Sequence, residues 1–149
     1  MRSPELAARI TAMSDYLRWN TEFPARLTEF VILLTARQWN SHWIWRGHYK
    51  LAMKGGLDPQ IGADLAAGRR PVAMQEDEAV LFDLATQIYR DKAVTDATYE
   101  AARAKFGERG IVELIGLMGY YDLVAMLLLT GNAVPPQDAE VPVLQVVAR

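Results

Sequence analysis

Residues Arg26 to His48 read RLTEFVILLTARQWNSHWIWRGH, and the reading of this run decides the fold. Pro24 is suited to open a helix here, and from Leu27 to Ala36 the chain is apolar on most of a helical circumference. Such a helix is buried on nearly every side and makes a central rod. One acid, Glu29, stands among Leu27, Phe30, Val31, Ile32, Leu33 and Leu34. A carboxylate in apolar surroundings is costly unless it is paired, hydrogen-bonded or protonated. Past Trp39, Trp43 and Trp45 comes His48, one of two histidines in the chain. Glu29 and His48 are therefore the first candidates for chemistry.

Helical periodicity extends in both directions. Upstream, Ser3 and Pro4 form a helix start, and Leu6, Ile10, Met13 and Leu17 follow at helical spacing. Downstream, Asn40 or Ser41 caps a third helix that runs to Gly55-Gly56 and sets Ser41, Ile44 and His48 on one face. Asp58-Pro59 starts a short helix that stops at Gly68. The acids Glu76, Asp77 and Glu78 open the next, where the helix dipole favours negative charge, and Leu81, Leu84, Ala85 and Ile88 continue it. Thr95 caps a helix with Tyr99, Ala102 and Phe106 facing inward and Gly107 as its stop.

From Ile111 to Leu129 the chain is apolar almost all round, long enough on that ground to suggest a membrane span. Glu113 and Asp122 interrupt the run, no flanking cationic cluster supports insertion, and Gly116 and Gly119 suit close packing of helices, so no membrane partner is expected. Pro135-Pro136 ends regular structure, and the tail 137–149 is apolar enough, at Val141, Val143, Leu144, Val146 and Val147, to dock on the rest. No period-two alternation occurs, which makes the fold class all-α: one helical bundle of about six or seven helices, residues 1–149. A faint internal echo pairs Glu29-Phe30-Val31-Ile32-Leu33-Leu34 with Glu113-Leu114-Ile115-Gly116-Leu117-Met118, as two copies of one helical unit would.

Bulk composition removes several functions. A chain of 149 residues suits one domain that buries roughly two thirds of its unfolded surface. Sixteen basic and eighteen acidic residues, with no basic block, argue against nucleic acid as a partner. No cysteine is present, which excludes disulfides, thiolate metal sites and thiol nucleophiles together. Two histidines on different helix faces build no convincing metal site, and no cofactor motif stands out. The stretch MRSPELAARITAM lacks the unbroken apolar region of a signal peptide, so the expected location is cytoplasmic.

The segment Arg26-Leu27-Thr28-Glu29-Phe30-Val31-Ile32-Leu33, followed by Ala36-Arg37-Gln38-Trp39-Asn40-Ser41, Trp45 and His48, resembles the carboxymuconolactone decarboxylase family, which includes the alkylhydroperoxidase D-type proteins. The likeness continues through Ala52–Leu57, Ile61 with Gly68-Arg69, Val94–Tyr99, Phe106-Gly107-Glu108, Glu113-Leu114 and Gly119-Tyr120-Tyr121, over roughly residues 4–136. It implies the alkylhydroperoxidase D-like helical fold and a homo-oligomer, a trimer or hexamer. In the peroxidase branch two cysteines lie three apart, the second four residues before a histidine, and an upstream glutamate completes a proton relay. Glu29 and His48 match the relay, whereas Ser41 and Ile44 stand at the thiol positions. Neither can cycle through a sulfenic acid, so thiol peroxidase activity is excluded. Members of the decarboxylase-like branch often carry an acid where this chain has Ile44.

The resemblance therefore implies a cofactor-independent lyase that acts on a small organic acid or lactone by proton transfer at Glu29 and His48. Substrate-binding candidates are Arg37, Trp39, Ser41, Ile44, Trp45 and Tyr120. Arginine suits a carboxylate, and aromatic walls suit a flat acid. The bland alternative keeps the tryptophans and tyrosines as core and the arginines solvated. On that reading Glu29 and His48 only close a buried cluster, in a non-catalytic protein that binds a small molecule or serves as an assembly module.

Overall fold

The apolar stretch of residues 27–36 forms the middle of α2 (Ala25–Gln38), in which every residue from Leu27 to Ala36 is buried. The computed structural model describes residues 3–146. Around α2 lie α1 (Pro4–Trp19), α3 (His42–Lys54), α4 (Pro59–Ala66), α5 (Glu76–Thr86) and α6 (Asp96–Thr130), with a π-helical turn, Gln87–Asp91, appended to α5. Among the described residues all regular structure is helical. Contacts of α2 with α3, α4, α5 and α6 make it the axis of the bundle. Its whole-circumference apolar sequence dictates that position, since water can touch no side of it without cost.

Local chemistry sets most helix ends. Asp58 accepts the Gln60 amide at 2.7 Å and Thr95 accepts that of Thr98, the capping interactions expected of these residue types. Ser3 occupies the cap position of α1 without a side-chain capping bond, so Pro4 alone marks that start. Glu78 accepts the Gln75 amide at 2.7 Å as half of a capping box and, fully buried, also pairs with Arg26 at the start of α2. Gly56 (φ 98) and Gly68 (φ 72) turn the chain after α3 and α4 through left-handed backbone.

Two expectations change. In α1 only Leu17 is buried, Ala7, Ile10 and Ser14 are half-buried, and Leu6 and Met13 lie open, so the inward face is turned away from the Leu6–Met13 edge. Tyr99 is exposed, Ala102 being the inward residue of that limb. Gly107, with non-helical backbone (φ 67, ψ 168), stops the first limb as its position predicts, and a second limb of α6 starts at once on a new course to Thr130. Beyond the bend the helix is buried through Leu114, Leu117, Met118, Tyr121 and Ala125, while Val112, Leu127 and Leu129 are exposed. By length and composition α6 is apolar enough to cross a membrane, a test that the core helix of a soluble protein also passes.

The apolar tail docks along the C-terminal end of α2 and on α3 and α4. Val141 and Leu144 are buried, the Trp45 indole donates to the Pro142 carbonyl at 2.7 Å, and the Gln145 amide donates to Ala66 at 2.8 Å. Lys50 adds ion pairs to Asp138 and Glu140. Val147 lies outside the described residues.

Candidate active site

Glu29 sits in the first half of α2 with its side chain 6 % exposed, and His48 faces it from α3 with 13 % exposure. The short connection after Trp39 folds α3 back alongside α2, which brings the two side chains together. His48 Nδ1 lies 2.7 Å from Glu29 Oε2. A carboxylate only accepts, so Nδ1 carries the proton and donates. In the neutral ring Nε2 is then an acceptor, and the Tyr121 hydroxyl, 3.2 Å away on α6, donates to it. The second carboxylate oxygen, Glu29 Oε1, is 3.4 Å from Arg18 Nη2 at the end of α1.

Four helices thus meet in one chain of groups: Arg18, Glu29, His48 and Tyr121. Tyr121 packs edge-on against His48 and against Tyr120, with ring centroids 5.0 and 4.9 Å apart. Burial pushes the Tyr121 phenol well above its ordinary value, and the Glu29 and Tyr120 charges add to that against the opposing pull of Arg18. The hydroxyl is therefore a proton donor in the resting site. Arg18 stacks over Trp19 at 4.5 Å and leaves its Nε buried without an acceptor among the described residues.

The substrate-binding candidates do not gather at this pair as one set. Ser41 caps α3, its oxygen 3.5 Å from the Ile44 amide, and Ile44 is fully buried one turn from His48. Trp45 is fully buried and spends its N–H on the tail. Arg37 and Trp39, at the far end of α2, line a separate cleft and take no part in the Glu29–His48 cluster. There Trp39 Nε1 donates to Asp122 at 2.6 Å, and Arg37 Nη1 donates to the Gln145 carbonyl at 2.9 Å. Tyr120 stacks beside the site, and its neighbour Tyr121 makes the polar contact. His42, half-buried and pushed down by burial and by Arg46 and Arg37, stands apart from His48.

Arg18 and Tyr121 were not singled out as site residues by sequence reasoning, yet Tyr121 carried a signal. Leu114, Leu117, Met118, Tyr121 and Ala125 repeat at three- and four-residue spacing and are the buried face of α6, which Tyr120 does not share. Arg18 gave none, since a basic residue in the last turn of a helix is commonplace.

No protein-family profile matches the chain, and no curated protein matches it. Among solved structures, a crystal structure from Agrobacterium tumefaciens superposes with a TM-score of 0.73 at 18 % identity, over 92 % of this chain and 94 % of that one. That protein is of unknown function and carries the name of a candidate antioxidant defence protein, AhpD. The chain therefore has the AhpD-like all-helical fold. At this identity the likeness concerns fold alone, so the decarboxylase part of the resemblance gains nothing from it.

Proposed function

We propose that this chain is a cofactor-independent acid–base enzyme, a lyase acting on a small organic acid or lactone. The observation that carries the reading is the Glu29–His48–Tyr121 chain, a carboxylate that fixes the imidazole tautomer and leaves Nε2 as a base beside a protonated phenol. In such a site Nε2 withdraws a proton from an activated carbon or hydroxyl of the substrate. The positive charge that then builds on the ring is stabilised by Glu29, itself held by Arg18. Tyr121 covers Nε2 at rest and swings aside to admit substrate, or returns a proton to it. The antioxidant name of the structural neighbour is not carried over as thiol chemistry, because this chain has no cysteine.

Calorimetric screening of small carboxylates and lactones, followed by a turnover assay on whatever binds, tests the reading. Glu29→Gln and His48→Gln should each lower kcat by about a hundredfold to ten-thousandfold. The double variant should lose little more, because groups that act as a unit are not additive. Full activity in Glu29→Gln would sink the proposal.

A second reading, a non-catalytic assembly protein on the same fold, is favoured by the open apolar residues of α1 and α6: Leu6, Met13, Val112, Ile115, Leu127 and Leu129. Both readings include a symmetric homo-oligomer, a trimer or hexamer, that covers this surface.

A further inference from the structure

A cleft of about 960 Å³ opens where the C-terminal end of α2, the turn after α4, the π-helical turn and α6 meet. That is the size of a site for a small organic molecule. Glu29 and His48 do not line it. Tyr121 and Asp122 are consecutive on α6, and consecutive helical residues point about 100° apart, so Tyr121 meets the imidazole while Asp122 faces the cleft.

Its polar lining is specific. Asp122 Oδ1 accepts from Trp39 Nε1 at 2.6 Å and from the Tyr89 hydroxyl at 3.0 Å. Tyr89 is in turn 3.0 Å from Thr35 Oγ1. These neutral donors fix the carboxylate, no cation pairs with it among the described residues, and Oδ2 takes no hydrogen bond among them. Tyr89 lies on the π-helical turn, a widened geometry that recurs at functional sites. Two residues of the lining, Asn40 (φ 51) and Lys92 (φ 55), hold left-handed backbone just past the ends of α2 and of the π-helical turn, where they stop the helix.

Five cations also face the cleft. Arg69, Arg70 and Arg90 are neutralised by Asp64, Asp83 and Asp91. Arg37 and Lys92 have no carboxylate partner among the described residues. Arg37 is half-buried; its Nη1 holds the tail, while Nε and Nη2 have no acceptor among the described residues. Trp39 supplies a flat apolar wall, whereas the Phe82 ring carries the Arg70 guanidinium over its face at 4.9 Å.

We infer that this cleft binds a hydroxyaromatic carboxylate, with its anionic end on Arg37 and Lys92, its ring against Trp39, and its hydroxyl donating to Asp122 Oδ2. The inference is independent of any chemistry at Glu29 and His48.

The test is calorimetry on the full chain with 4-hydroxycinnamate, cinnamate and 4-hydroxycinnamamide as probes. The first should bind saturably at one site per chain. Removal of the hydroxyl (cinnamate) should weaken binding about tenfold or more in the native protein and have little effect in Asp122→Asn, because a hydrogen bond to a charged group is lost only where the charge exists. The amide probe should bind more weakly than the acid. Lys92→Gln, at an exposed position, should weaken the acid about two- to fivefold and leave the amide unchanged. Arg37→Gln should weaken the acid more strongly, and if it releases the tail, the Lys92 variant still decides. Absence of saturable binding by 4-hydroxycinnamate overturns the inference. So does binding that Asp122→Asn and Lys92→Gln leave unaltered.

Discussion

Substituting Glu29 and His48 singly and together measures the pair as a structural unit, without any substrate. Both side chains are far less than a third exposed and sit 2.7 Å apart, so solvent screening takes little from their interaction. Glutamine at position 29 keeps an acceptor for His48 Nδ1, but its amide group then turns donors toward Arg18 Nη2, which stands 3.4 Å from the present carboxylate. One lost charge and one opposed donor lead to an expected destabilisation of about 1–3 kcal/mol for Glu29→Gln. For a chain of this size that is a fall in Tm of about 2–4 °C per kcal/mol. Urea denaturation of the native chain, Glu29→Gln, His48→Gln and the double variant should return a coupling of about 1–3 kcal/mol with unchanged m-values. The nitrogen NMR spectrum of His48 should show Nδ1 protonated in the neutral ring. A coupling under about 0.5 kcal/mol, or a neutral ring protonated on Nε2, would refute the arrangement.

Four further outcomes are expected. A Cβ at Gly62 would stand 2.6 Å from Tyr49 Cε2 and 2.9 Å from its hydroxyl in the core, so Gly62→Ala should destabilise by about 1–3 kcal/mol in urea titration. The Tyr16 hydroxyl, 2.5 Å from Glu113, and then Arg109 hold the Glu113 carboxyl below its ordinary value of 4.5. A carboxyl depressed in the folded state stabilises above its unfolded value, so this contribution should be complete at neutral pH and fade as pH falls below about 4.5, less steeply in Tyr16→Phe. With Ser41 and Ile44 at the thiol positions, purified protein should consume no peroxide with any dithiol reductant above the buffer rate. Light scattering at micromolar concentration should give a multiple of 16.7 kDa, and the monomer mass would contradict the proposed assembly.

How far the sequence carries depends on the range over which each feature is determined. The all-α class, the buried rod and the Glu29–His48 meeting were legible because they rest on local periodicity and one short connection. The Ser41, Asp58 and Thr95 caps and the Gly56, Gly68 and Gly107 stops were legible for the same reason, whereas Ser3 makes no side-chain capping bond. The inward face of α1 was misjudged because an amphipathic stripe shows what a helix can bury and not which edge of it meets a partner: Leu17 meets Gly116 on α6, whereas Leu6 and Met13 lie open. Arg37 and Trp39 were grouped with Glu29 because an arginine suits a carboxylate and an aromatic wall a flat acid, yet from position 29 to 37 a helix advances about 12 Å, enough to carry them to another site. The π-helical turn and the Asp122–Tyr89–Trp39 cluster had no local signal, since they join three segments distant in sequence.

The bend at Gly107 has a consequence for hydrogen exchange. An unbroken helix from Asp96 to Thr130 would protect its amides as one block, but backbone at φ 67 and ψ 168 interrupts the ladder of hydrogen bonds and divides α6 into two units. In the first limb Ala102 is the only fully buried residue, so that limb should open at a free energy well below that of global unfolding. The second limb carries Glu113, Tyr121 and Asp122 against the core and should exchange only with the whole molecule. Fraying of residues 96–106 thus leaves both the imidazole contact and the cleft carboxylate in place, because the glycine uncouples the loose end of the helix from the end that holds them.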